Sequence, residues 1–313
     1  MITPATDAVP LIDAAAPVRW VGYLSLFPVV GALAFRMLAR RALGATHAAL
    51  VPALTGRARM AALFAAMVLC STLALRLFVQ VGSFLDPGEP FTWAAAQPII
   101  FSTSWGHGWL WQAGAALAVI AMLLAAARWE RGWAAVLVAV AVEVFVFPLT
   151  GHATEHPWGA GVGVALQGLH VAGGALWLGT LAVLLGTVYP ETRGDPARED
   201  VIRRLVERYS PLALTGAGTA VAAGLVLSLS YVASWHALFD SSYGRALLIK
   251  VALLGGVLVL GYHNWRRVRP ALGAEPGAAR LRRSASVELL IGTLLLAVTA
   301  VLVALPAPGL GME

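Results

Sequence analysis

An all-α fold, a polytopic membrane bundle of about eight transmembrane helices with both termini outside, is the class this sequence predicts, on three observations. The 313 residues are 59% hydrophobic and only 12% charged, with a mean hydropathy of +0.78, which excludes an ordinary soluble domain. Apolar stretches recur along the whole chain at about the 20-residue length that carries a helix across about 30 Å of hydrocarbon. The basic residues fall in alternate loops, as the positive-inside rule requires of a chain that crosses the bilayer repeatedly.

The predicted spans are 18–38, 57–79, 105–127, 132–150, 161–188, 211–233, 244–264 and 285–305. One set of loops holds Arg40, Arg41, Arg57, Arg59 and Arg128, then Arg193, Arg198, Arg203, Arg204 and Arg208, then Arg266, Arg267, Arg269 and Arg280. The opposite side has only Arg19, Arg76, Arg245 and Lys250, all within or beside helices. The rich set is cytoplasmic by this rule, so the net charge of +6 records orientation and nucleic acid is not an expected partner. The N-terminus lacks the basic segment of a cleavable signal, and the first helix is expected to serve as its own insertion signal. Cys70 is the only cysteine, so no intramolecular disulfide forms. Residues 1–313 read as a single integral membrane domain. Lys250 is the only lysine among many arginines, which fits a GC-rich bacterial genome.

In the second span Met67 and Cys70 lie three apart and share a helix face. They either fill gaps in an apolar core or form a pair of soft ligands suited to Cu(I). The outer segment 80–104, with Trp93 and several prolines, is long for a bundle connection and is expected to pack at the interface as a partial lid. His107 follows between two glycines at the outer end of the third span. Glu143 is about ten residues from either end of the fourth, where a carboxylate costs a few kcal/mol unless it is neutral or partnered. Glu288, one turn into the predicted last span, reads instead as an interfacial ion pair with Arg282 or Arg283. Lys250 is expected to snorkel to the outer interface.

The densest stretch is 150–179. His152, Glu155 and His156 precede Pro157, which is expected at the first helical position with His156 as cap. His156, Gly163, His170 and Trp177 then recur every seven residues on nearly one helix face, with His170 about 20 Å below His156. A cluster of imidazoles at the mouth of a membrane bundle points to metal handling. His152 to His156 matches the H-x-x-E-H protease pattern, but Gly151 before it, Pro157 after it and no evident third ligand argue against proteolysis, and no enzymatic activity is expected. Haem b is a second option, with His170 and His107 as axial ligands. No nucleotide-binding motif is present, so gradients or chelation inside would have to drive any transport.

The run Arg208-Tyr209-Ser210-Pro211-Leu212-Ala213, then Tyr243-Gly244-Arg245-Ala246-Leu247-Leu248-Ile249-Lys250, then Asn264-Trp265-Arg266, resembles the copper resistance protein D (CopD) family. So do Gly151-His152-Ala153 and the stretch from His170 to Gly179, with the core of the likeness at about 150–270. The chain departs from the family in having no fused CopC-like domain and no Met-rich outer segment. The resemblance implies copper import across a bacterial inner membrane, with a periplasmic CopC-like protein as donor. On that reading His152 and His156, with Glu155 or His107, capture copper. His170 receives it, and Glu143, the Met67/Cys70 pair and Trp177 lie along a possible path. A haem-binding electron carrier and a copper-delivery assembly factor that transports nothing are the alternatives.

Overall fold

The computed structural model describes residues 9–86, 88–129, 132–232, 234–272 and 276–305, with only the backbone for 9–13 and 237. Eight helices among these residues are long and apolar enough to cross a membrane, and no strand occurs among them. In order, the helices are α1 (Val9–Leu43), α2 (Val51–Gly82), the short α3 (Trp93–Ser102), α4 (Ser104–Ala125) and α5 (Gly132–Val146). There follow α6 (Ala160–Gly174), α7 (Thr180–Glu191), α8 (Arg198–Tyr231), a single turn α9 (Ala237–Asp240), α10 (Ser242–His263) and α11 (Gly277–Ala304). Helices α6 and α7 are one span, joined without a break through a π-helical turn at Ala175–Gly179.

The eight expected spans are all present, but several begin earlier than their hydropathy suggests, α1 and α2 among them, and two of these early starts bear on the site. Helix α8 starts at Arg198, thirteen residues before Pro211, which sits inside the helix instead of opening it. Helix α11 starts at Gly277, not near 285. Both early segments are rich in arginine, so their mean hydropathy conceals helices that continue beyond the apolar slab. Their ends are tied to each other: the Glu199 carboxylate accepts the Ala278 N–H at 3.1 and 3.2 Å, and the Tyr189 hydroxyl donates to the Ala278 carbonyl at 2.7 Å.

The core is centred on α1, which packs on α2, α7, α8, α11 and the π turn. Leu26, Phe35, Leu54, Leu69 and Leu184 are fully buried around it. Lipid tails are as apolar as leucine, so close backbone approach, not water exclusion, holds such helices together. Two contacts need glycine. A Cβ at Gly31 would lie 2.2 Å from the Gly179 backbone, and one at Gly173 would lie 2.5 Å from the Gly216 carbonyl, where α6 meets α8.

Helix α3 seats Ala96, Ile99 and Ile100 against Val81 at the end of α2, and leaves Trp93 and Phe101 exposed. It is capped by Thr92, whose hydroxyl accepts the Ala95 N–H, and Thr103 caps α4 through Gly106 in the same way. The segment packs on α2 and α4, and none of its described residues lines the large cavity described below.

Candidate functional site

A cavity of about 390 Å³ lies between α1, α6, α8, α10 and α11. Its wall is largely apolar, with His152, Gln167, His170, Trp177 and Tyr231 among the side chains that face it. Arg19, Arg76 and Lys250 also line it, and no carboxylate does among the described residues. Lys250 therefore faces the cavity, where the sequence suggested that it snorkels to the interface.

The stretch that carries the histidines differs locally from expectation. His152–Glu155 is a 3-10 turn, His156 follows with extended backbone (φ −63°, ψ 137°), and α6 opens only at Ala160 behind Gly159. Gly159 has φ +93°, a conformation that favours glycine, so the reversal into the helix is made there and not at Pro157. His156 is accordingly no cap. Its Nδ1 accepts the Trp158 N–H at 3.1 Å, which leaves Nε2–H to donate to the Ser230 hydroxyl oxygen at 2.9 Å. Only 4% of the residue is exposed, between the Trp158 and Tyr231 rings, and this burial lowers its proton affinity. Both of its nitrogens are thus committed to holding the turn against α8.

His170 is set differently. It lies ten residues into α6, about 15 Å from the helix start. Its Nδ1–H donates to the Ala220 carbonyl at 2.7 Å, which fixes the ring and leaves the Nε2 lone pair free. Gly224 makes room for this ring, since a Cβ there would fall 2.7 Å from Cε1. An imidazole steered by a backbone carbonyl at one nitrogen is the usual arrangement of a metal ligand. The seven-residue face does not reach His156, which precedes the helix, yet His156, His170 and the Trp177 carbonyl, which accepts the Tyr209 hydroxyl at 3.1 Å, all bond to α8.

His152 lines the outer end of the cavity, with Nε2–H donating to the Leu305 carbonyl at 3.1 Å and Nδ1 3.7 Å from the exposed Glu155 carboxylate. His107 is exposed on α4, donates to the Phe101 carbonyl at 3.0 Å and does not line the cavity, so it is not brought together with His170. Met67 is 47% exposed on the outside of α2 and Cys70 is partly buried, and neither reaches the cavity. Glu143 is fully buried, yet neither carboxyl oxygen has a hydrogen-bond partner among the described residues. No group of three or more His, Cys, Asp or Glu side chains among those residues could hold a metal ion.

Two polar networks escaped the sequence. Arg76 donates to Gln112 Oε1 at 3.0 Å and to the Thr150 hydroxyl, while Gln112 Nε2 reaches the Val146 and Phe147 carbonyls at 3.1 and 2.7 Å. At the cavity floor, the Trp177 indole N–H donates to Glu288 Oε1 at 2.8 Å. The Asn264 amide donates to Glu288 Oε2 at 3.1 Å. Glu288 is therefore no interfacial partner of Arg282 or Arg283; it lies three turns inside α11 because that helix starts early. Asn264 opens a second π-helical turn, Asn264–Val268, so Glu288 joins the two π turns of the molecule's described residues. Such turns occur often at functional sites.

Comparison with known proteins bears on these residues. Residues 11–162 match the family model described as copper resistance protein D-like, N-terminal domain, and residues 203–302 match that of copper resistance protein D. The chain is 27% identical over 249 residues to the copper transport protein CutJ of Bacillus subtilis (strain 168). That alignment takes in 78% of the chain and 44% of the relative, so the chain spans less than half of that protein's length. No solved structure matches it. His107, Glu143, His152 and His156 fall in the first matched stretch and Lys250 and Glu288 in the second, with His170 and Trp177 in the interval between.

Proposed function

Because the chain belongs to the copper resistance protein D family, we propose that it moves copper inward across a bacterial inner membrane, entering by the cavity that His152 and His170 line. The observation that carries this reading is the His170 ring, pinned through Nδ1 to the Ala220 carbonyl with Nε2 left free. His152 at the outer end supplies a second imidazole, and transfer from one to the other lets the ion descend without a deep trap. Trp177 and Glu288 at the floor continue the route better than Glu143 or the Met67/Cys70 pair, which do not line the cavity. His156 serves as a positioning residue for the turn that carries His152.

In this reading both termini lie outside, the arginine-rich ends are cytoplasmic, no bond is made or broken in the substrate, and a periplasmic CopC-like protein hands over the metal. The test is copper uptake into proteoliposomes beside copper binding in detergent. His170→Ala is expected to abolish flux, while His107→Ala leaves it near wild type. Binding without flux in the wild type would leave a delivery factor, and unchanged flux in His170→Ala would remove that residue from the route.

A further inference from the structure

The outer half of this chain carries only four basic residues outside the loop tips, and three of them, Arg19, Arg76 and Lys250, line one cavity. They lie six to ten residues from the same ends of α1, α2 and α10, which is about 9–15 Å along each helix. Their hydrogen-bond partners among the described residues are neutral, and the one carboxylate that interacts with any of them, Glu143 with Arg76, does not line the cavity. Arg19 donates to the Val303 carbonyl at 2.9 Å, and Arg76 to an amide and a hydroxyl. Lys250 has no hydrogen bond or ion pair among the described residues, and the nearby imidazole of His170 offers it no negative charge. Cations at this depth in a bilayer require an opposite charge.

The cavity also has a side door. Helix α8 packs on α6 and α10 on α11, and α8 and α10 meet each other through Leu227, Tyr231, Tyr243 and Leu247 near one end, with few close backbone approaches elsewhere. The lining residues Leu225 on α8 and Val251 on α10 stand at this gap, 59% and 55% exposed. The gap therefore faces acyl chains, and the wall behind it is mostly apolar.

We propose that the cavity binds an anionic phospholipid of the outer leaflet, with its phosphate among Lys250, Arg19 and Arg76 and an acyl chain leaving between α8 and α10. The apolar wall and lateral gap favour an amphiphile over a small soluble anion. The bound phosphate would offset the positive wall beside His152 and His170, which otherwise opposes entry of a metal cation.

The experiment is native mass spectrometry of the detergent-purified full chain with added phosphatidylglycerol or phosphatidylcholine. Phosphatidylglycerol is expected to be retained about tenfold better, the value of one charge-assisted contact. Lys250→Met should remove that preference and Lys250→Arg keep it. Arg245→Gln, which changes the fourth outer basic residue and not the cavity, should leave it unchanged. Equal retention of the two lipids by the wild type overturns the proposal, as does an equal loss in Arg245→Gln, which would mark a surface charge effect. Displacement of the lipid by millimolar inorganic phosphate would assign the site to a soluble anion and also overturn it. None of these readouts involves copper, so this inference and the transport reading fail separately.

Discussion

The two ends of the bundle handle charge in opposite ways. At the arginine-rich end, the inner one in the function proposed above, charges are abundant and paired with one another at the surface: Asp200 meets His47 Nε2 at 2.8 Å, Arg203 Nη2 at 2.6 Å and Arg204 Nε at 2.6 Å, and Arg203 also holds Glu207. Asp200 itself is 38% exposed by side chain. At the outer end basic residues are few, and three of the four are drawn inside to the cavity, as with Arg76 on Gln112 and Thr150. The inner charges are set by topology and tolerate exchange. The outer ones persist against the positive-inside bias, so each has a local reason, and they mark the cavity.

This contrast can be broken by measurement. Arg76→Met should have the largest effect, about 3 kcal/mol of lost stability, because it strands Gln112 and Thr150 in a buried network and removes the nearest compensating charge from Glu143. Thermal unfolding in detergent checks it, and a shift below about 1 kcal/mol would show the outer network to be no more important than a surface pair. A smaller effect is expected from His156. Its folded form favours the neutral ring, so its contribution is present above the unfolded pKa of about 6.5 and is lost as pH falls below that value. The thermal midpoint should therefore drop between pH 7.5 and 5.5, and less so in His156→Gln; identical pH profiles would mean the Trp158 and Ser230 bonds do not depend on the neutral ring. Smallest of all, Asp200→Asn at the inner end should shift the midpoint by about 2 °C or less, because exposed ion pairs are screened. A loss as large as that of Arg76→Met would erase the distinction between the two ends.

Much of the architecture could be read from composition, since span length and hydropathy report burial in lipid directly. The early starts of α8 and α11 could not, because Arg198–Tyr209 and Gly277–Ser284 are charged helices outside the apolar slab. The misplaced start of α11 then misassigned Glu288, which sits about two turns deeper in its helix than hydropathy implied. The histidine stretch was legible as residue types and spacing, but the period of seven implied a helix face through His156, which the turn at Gly159 cuts off from α6. Which imidazole keeps a free nitrogen was not legible, because that depends on Ala220 and Ser230, fifty and seventy-four residues away. Nor was the cavity, since the order of helices around a bundle leaves no trace in spacing. The signal that would have found it was present: the rarity of Arg19, Arg76 and Lys250 on their side of the membrane.

The π turn at Ala175–Gly179 has a kinematic consequence. It holds one residue more than an α-helical turn would, and the Trp177 carbonyl within it bonds to Tyr209 of another helix. Sliding that surplus residue one step along the span rotates each side chain it passes by about 100° while both flanking helices stay intact. Trp177 lies at the middle of that turn, so such a shift across it would cost its bonds to Glu288 and Tyr209 and break no helix.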